Sequence, residues 1–127
     1  MGCNENNKEC TNNYNKKIVL QHGKLTPQEF LQYFETKVFK TIKKYKLFER
    51  NEKICVAASG GKDSTAVLHL TKRYYERYNI PLENLFAIAI DEGIERHRNE
   101  SLKNLKQFCK AENIKLICCF TLNCNFF

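Results

Sequence analysis

The sequence predicts an α/β fold, a parallel sheet with flanking helices, on three observations. Apolar runs and helical periods alternate as strand, helix, strand, helix, strand between residues 53 and 120, an order that implies right-handed crossovers and parallel strands. The middle run, Leu85-Phe86-Ala87-Ile88-Ala89-Ile90, is apolar without a break, as in a strand covered on both faces. The string Ser59-Gly60-Gly61-Lys62-Asp63-Ser64 separates the first apolar run from the helical pattern beginning at Ala66-Val67-Leu68. That is the place of a glycine turn joining a strand to a helix.

The elements follow in order. Residues 1–25 are polar and Asn-rich with no period, and an irregular arm is expected there. Thr26-Pro27-Gln28-Glu29 opens a helix: Thr26 caps, Pro27 suits the first turn, and Glu29 completes a capping box. Phe30, Phe34, Val38, Ile42 and Tyr45 then form one apolar face. Lys37, Lys40, Lys43, Lys44 and Lys46 form another, read either as a solvated face or as an edge turned to RNA. Strand one spans residues 53–58 and a helix runs from about 61 to 78, broken by Asn79-Ile80-Pro81. Strand two, residues 85–90, ends at Asp91-Glu92-Gly93. A helix over about 98–112 turns Leu102, Leu105, Phe108 and Cys109 inward, and strand three occupies 115–120.

Composition bounds the function. The 127 residues suffice for one small domain, and 43% hydrophobic content with 9 Phe and 6 Tyr can fill a core. The charge of +7 and the pI near 9.1 suit a nucleic-acid partner without requiring one. No apolar run approaches the ~18 residues of a membrane span. Met1-Gly2-Cys3-Asn4-Glu5 lacks the order of a secretion signal, and Asn6 stands where a myristoylation signal has Ser or Thr. A cytoplasmic location without a membrane partner is expected. Seven cysteines, at 3, 10, 55, 109, 118, 119 and 124, include no CxxC pair, so a complete local zinc site is not expected. Buried reduced thiols are, with Cys55 inside the first strand and Cys109 beside Phe108.

The 59–64 string carries the chemistry. Glycines let the backbone approach a phosphate, the first amides of the following helix are unpaired, and the helix dipole favours negative charge there. Lys62 adds a positive charge, and Ser59 and Ser64 add hydroxyl donors. The alternative is an ordinary tight turn with solvated polar residues. It is not a Walker loop, because Val56 and Asp63 stand where that motif has Gly and Ser or Thr. Nor is it a dinucleotide fingerprint, which needs a third glycine. Ligands of parallel sheets sit beyond the carboxyl ends of the strands, where strand one reaches Ser59 and strand two reaches Asp91.

In its strand–turn–helix context the string resembles the loop of the PP-loop ATP pyrophosphatases. Together with Thr41-Ile42-Lys43-Lys44-Tyr45-Lys46-Leu47-Phe48, Ile90-Asp91-Glu92-Gly93-Ile94 and Arg98-Asn99-Glu100-Ser101, the chain resembles the tRNA 2-thiolation branch of that family over about residues 30–120. The resemblance implies a Rossmann-like sheet of HUP type, of which only the N-terminal three strands are expected here. It divides the chain into a polar arm, residues 1–25, and a partial nucleotide-binding domain, residues 26–127. It implies an enzyme, a tRNA sulfurtransferase that adenylates a tRNA base with ATP, releases pyrophosphate and then transfers sulfur. By resemblance Ser59, Gly60, Gly61, Asp63 and Ser64 surround the phosphates and Lys62 neutralises them, with Lys62 and Asp63 as the catalytic pair. Asp63 either helps hold Mg²⁺ or is simply a carboxylate favoured at a helix N-terminus. Ala58 and the Ile90 backbone border adenine and ribose, and Asp91 lies near the nucleotide or caps the next turn. ATP and Mg²⁺ are the implied cofactors. The implied partners are tRNA, a ubiquitin-like sulfur carrier or other sulfur donor, and a second copy in a homodimer.

Two departures accompany the resemblance. The family's zinc knuckle would place ligands at Asn7, Cys10, Thr26 and Glu29, of which only Cys10 is a ligand type that survives. Cys3, Cys10 and His22 stand as a remnant metal set or as loose groups in an arm. The family also continues past the third strand, where its iron–sulfur or sulfur-accepting cysteines lie. Cys118, Cys119 and Cys124 fall upstream of that place and are not assigned the role, so a shortened chain or a fragment with an open sheet edge and marginal stability is expected. His69 is expected to be partly buried, and His97 solvated or RNA-facing in Arg96-His97-Arg98. Two other functions remain open: a lysidine-synthetase-like or other adenylating ligase, and a noncatalytic ATP- or tRNA-binding fragment.

Overall fold

The computed structural model describes residues 18–20, 23–91 and 98–120. The chain divides into two compact units, Met1–Lys40 and Thr41–Phe127. Helix α1, Pro27–Tyr45, runs across the division.

In the first unit, β1 (Ile18–Leu20) and β2 (Gly23–Leu25) pair antiparallel, with Ile18 opposite Leu25 and Leu20 opposite Gly23. Only an irregular arm was expected over these residues. A three-residue apolar run, Ile18-Val19-Leu20, is too short to display a period, yet it suffices to pair with residues 23–25. Thr26 and Glu29 form the expected capping box: the Thr26 amide donates to Glu29 Oε2 at 2.8 Å and the Glu29 amide to Thr26 Oγ1 at 3.3 Å. The apolar face expected on α1 is only partly realised. Phe39 and Ile42 are the buried positions, whereas Phe34, stacked on Phe30 at 6.0 Å, is 43% exposed and Tyr45 is 62% exposed.

In the second unit, β3 (Ile54–Ala57), β4 (Leu85–Asp91) and β5 (Lys115–Phe120) form a parallel sheet in that order. Helix α2 (Lys62–Arg77) and a 3-10 turn (Leu82–Asn84) connect the first two strands, and α3 (Arg98–Ala111) precedes the third. The helices lie side by side. His69 of α2 meets Phe108 of α3 edge-on at 6.3 Å, and Lys72 Nζ pairs with Glu112 just beyond α3 at 2.5 Å.

Alternation along the strands shows which face the helices cover. Leu85, Ala87 and Ala89 are buried, as are Leu68, Thr71, Tyr75, Leu105 and Cys109 of the helices, while Phe86 and Ile88 are half-buried and Ile90 is 60% exposed. Such an alternation marks a sheet with one dry face, not the double cover that the unbroken apolar run suggested. It also moves Cys55. The thiol was expected to be buried, but Cys55 faces the less covered side and is exposed, whereas its neighbour Val56 is buried. Cys109 is buried as expected, and burial first, then the nearby Cys118, pushes its thiol above the ordinary cysteine range.

All three helices stop in the same way. Lys46 (φ 46°), Asn79 (φ 50°) and Asn113 (φ 55°) adopt left-handed backbone. In each case the next amide, of Leu47, Ile80 or Ile114, donates five residues back within the ending helix, to Ile42, Tyr75 or Cys109. This is the Schellman arrangement, closed by an apolar residue after the left-handed one. Asn tolerates that conformation, and Lys does so at greater cost.

Candidate functional site

The loop is positioned by the sheet. The Ala58 amide donates to the Ile88 carbonyl at 2.8 Å, continuing the β3–β4 ladder one residue past β3. Ala58 is 4% exposed, so the chain leaves the sheet from a fixed point and turns outward at Ser59. Gly60 turns it with φ +85°. Gly61 returns to φ −76°, ψ 169° and occupies the N-cap of α2 without a side chain to cap it. The helical ladder begins only where the Thr65 amide donates to the Gly61 carbonyl at 3.1 Å. The amides of Lys62, Asp63 and Ser64 therefore stand ahead of the ladder, at the positive end of a helix of 16 residues.

Two serines brace this turn from within. Ser64 Oγ donates to the Gly61 carbonyl at 3.2 Å and accepts from the Ser59 amide at 3.3 Å. Ser59 Oγ accepts from the Gly61 amide at 3.3 Å and lies 3.3 Å from Ser64 Oγ. Both serines were expected as phosphate donors, and here they first hold the loop in shape. Lys62 and Asp63 are exposed at the first turn. The arrangement offers an anion a row of backbone amides, one exposed cation and hydroxyls already in place, which is what a phosphate cradle requires.

The parallel register brings the second motif to the same edge. Ala57 pairs with Ile88, so Ser59 and Asp91 end adjacent strands on the carboxyl side of the sheet. Ile90 presents a 60% exposed residue there and Asp91 is half-buried. Glu92, Gly93, Ile94 and His97 lie outside the described residues, as do Cys3, Cys10, His22 and Cys124. His69 is half-buried, as expected, two turns down α2 from the loop and against Phe108.

One site contact escaped the sequence reading. A methyl group on Gly60 would lie 2.6 Å from the Ser101 carbonyl carbon, closer still to its oxygen, and 3.1 Å from Ser101 Cβ. The first turn of α3 thus rests directly on the loop. A glycine at this place in the string was legible, but its neighbour lies forty residues away and nothing local announces it.

Among the described residues no group of three or more His, Cys, Asp or Glu could hold a metal ion. Cys118 and Cys119 are successive residues of β5 and so face opposite sides of the sheet. They do not fit a shared iron–sulfur cluster. Asp63 alone suits a metal that arrives already bound to phosphates, since Mg²⁺ commonly takes one or two carboxylates and completes its shell from substrate and water.

Comparison with known proteins agrees with this geometry. The chain is 40% identical over 102 residues to cytoplasmic tRNA 2-thiolation protein 1 of Aedes aegypti, covering 77% of this chain and 30% of that protein. It is 49% identical over 78 residues to the protein of the same name from Drosophila melanogaster, covering 61% of this chain and 22% of that one. The chain therefore spans less than a third of the length of these relatives. Among solved structures it resembles the U34-tRNA thiolase NcsA of Methanococcus maripaludis, solved with its 4Fe-4S cluster. The TM-score is 0.71 at 26% identity, over 84% of this chain and 36% of that one. An NH3-dependent NAD synthetase of Campylobacter jejuni shares the fold, with TM-score 0.56 at 22% identity, over 72% of this chain and 36% of that one. A family profile described as a PP-loop domain matches residues 31–125. With the loop, the parallel strands and this match in agreement, the chain belongs to the PP-loop domain family.

Proposed function

We propose that this chain carries the ATP-binding part of a tRNA 2-thiolation enzyme and that its loop holds the phosphates of ATP. The observation that carries the reading is the row of uncapped amides at Lys62, Asp63 and Ser64, aimed beyond the carboxyl edge of the sheet beside Lys62 itself. The names of the relatives, tRNA 2-thiolation protein and U34-tRNA thiolase, support the choice of reaction.

In the proposed reaction a carbonyl oxygen of the tRNA base attacks the α-phosphorus of ATP. The bond from that phosphorus to the bridging oxygen breaks, and its electron pair leaves with pyrophosphate. Loop amides and Lys62 offset the charge that gathers on the leaving group, a role suited to a fixed and partly dry cradle. Asp63 would help hold the accompanying Mg²⁺, and Ala58 and Ile90 border adenine and ribose. A sulfur nucleophile then attacks the activated base carbon and AMP departs. The nucleophile comes from a donor such as a thiocarboxylated ubiquitin-like carrier. An iron–sulfur cluster, where the whole enzyme uses one, draws its ligands from outside the described residues.

A second reading keeps the same site but stops at nucleotide and tRNA binding. It needs only the uncapped amides and the braced turn already described. One assay separates the two. The purified chain is incubated with Mg-ATP labelled at the α-phosphate, unmodified tRNA and sulfide. AMP formed only when tRNA is present supports base adenylation. Nucleotide binding with no AMP or pyrophosphate formed supports the second reading.

A further inference from the structure

At the end of the Thr41–Phe127 unit away from the loop, the last turns of α1 and α2 meet. Lys43 Nζ lies 3.9 Å from the centroid of the Tyr78 ring. Tyr78 packs on Tyr74 at 4.6 Å, and Phe48 meets Tyr74 edge-on at 5.5 Å. Arg50 Nη2 donates to the Asn79 carbonyl at 3.0 Å, tying the segment after α1 to the end of α2. Lys44 Nζ lies 5.0 Å from the ring centroid of Tyr45, and Tyr45 is 62% exposed. Between residues 43 and 53 five cations face two carboxylates, Glu49 and Glu52, and the Glu52 carboxylate already accepts from the Glu49 amide at 2.7 Å. Cations and aromatic rings thus alternate over one end of the unit.

Lys46 provides an independent observation. Three helices end in the same left-handed residue, and two of them use Asn; the third uses Lys at φ 46°. A long side chain is a poor choice for that backbone, where Gly or Asn is cheaper. Strain retained at an exposed position points to a use for the side chain, and this one extends the cationic group of Lys43, Lys44 and Arg50.

We propose that this end of the unit is an RNA-docking surface. Lys43, Lys44, Lys46 and Arg50 pair with backbone phosphates, and the exposed ring of Tyr45 accepts a stacked base. The charge alone would equally suit an acidic protein segment. The exposed aromatic ring set among the cations favours RNA, whose bases offer flat faces to stack. The surface lies at the far end of α2 from the loop, roughly 24 Å away for 16 residues at about 1.5 Å each. It would grip a macromolecule at a distance from any group reacting at the loop. The proposal does not depend on what the loop binds.

The test is fluorescence anisotropy of a labelled tRNA transcript titrated with the full 127-residue chain at several KCl concentrations. In the double variant Lys44→Gln/Lys46→Asn the affinity should fall about tenfold and the slope of log K against log salt should shrink by about 1.5, close to 0.7–0.9 per lost phosphate contact. Tyr45→Ala should weaken binding without changing that slope. The single variant Lys46→Asn separates docking from folding: tRNA binding should weaken while the thermal midpoint holds or rises. Binding of a fluorescent ATP analogue should be unchanged in all three variants.

An unchanged tRNA affinity and salt slope in the double variant would overturn the proposal. So would a lower thermal midpoint in Lys46→Asn with tRNA binding intact. Displacement of tRNA by polyglutamate as effectively as by polyuridylate at equal charge would reassign the surface to an acidic protein.

Discussion

Gly60→Ala is the most telling single substitution in the site. Two costs follow from the structure. The backbone sits at φ +85°, where an L-residue is strained by about 1–2 kcal/mol. The added methyl also meets the Ser101 backbone of α3, with a carbonyl carbon at 2.6 Å. A backbone group cannot swing away as a flexible side chain can, so overpacking adds about 1–3 kcal/mol. The sum, roughly 2–5 kcal/mol, is a large share of the ~5–15 kcal/mol that stabilises a typical domain. Gly61→Ala is the control. Its φ of −76° suits any residue, and its methyl would meet only Ser59 Oγ at 3.4 Å. It should cost less than about 1 kcal/mol, because a less flexible unfolded chain offsets the crowding. Urea unfolding followed by circular dichroism reads both. With a slope near 1–3 kcal/mol per molar, the Gly60→Ala midpoint should fall by about 1–2 M and the Gly61→Ala midpoint should hardly move. Equal midpoints for the two variants would refute the reasoning, since they would mean that α3 does not rest on the loop at Gly60.

Two further outcomes concern the core and its ion pairs. The Tyr75 hydroxyl is buried and, among the described residues, has no hydrogen-bond partner; burial, with a lesser effect of Glu52, raises its pKa above the ordinary tyrosine value. Tyr75→Phe should therefore be neutral or stabilising by up to about 1 kcal/mol in urea unfolding, and a clear loss would reveal a partner. Lys72 is held above the ordinary lysine value, first by its hydrogen bond to Glu112 and then by that to Glu76. The Glu76 carboxyl is held below its ordinary range, first by Lys72. The Lys72 contribution is full below the unfolded lysine pKa and is lost as pH rises through the raised folded value. That of Glu76 is full above the unfolded carboxylate pKa and is lost as pH falls through the depressed folded value. Lys72→Met should cost about 1 kcal/mol at neutral pH, since the Glu76 side chain is 44% exposed and its share is screened, and it should flatten the pH–stability curve at both ends. A curve parallel to that of the unchanged chain would show that the cluster contributes nothing.

Much of the sheet and loop was legible because their signals are local. The apolar run 85–90 and the break at Asn79-Ile80-Pro81 bracket β4 closely, and the 59–64 string marks its own turn. Helix ends were half legible: Asn79 and Asn113 are residue types that accept left-handed backbone, whereas Lys46 is not. What eluded the sequence was mostly long-range. A continuous apolar strand reads the same whether one or both faces are covered, so the exposure of Cys55 and Ile90 was hidden. The Lys72–Glu112 pair and the Gly60–Ser101 contact join residues forty or so positions apart, and no periodicity encodes them. The β1–β2 hairpin was missed because three residues cannot show an alternation.

In the proposed function the 59–64 loop cradles phosphates and Lys62 completes the cradle. Isothermal titration of Mg-ATP into the full chain and into Lys62→Ala tests it most directly. Lys62 is exposed and makes no packing contribution to the core, so the variant should melt at the same temperature. The account predicts binding by the unchanged chain that weakens at least tenfold in Lys62→Ala, in keeping with the loss of a charge-assisted contact worth about 1.5–3 kcal/mol. Equal ATP affinity in the two proteins, both folded, would contradict it.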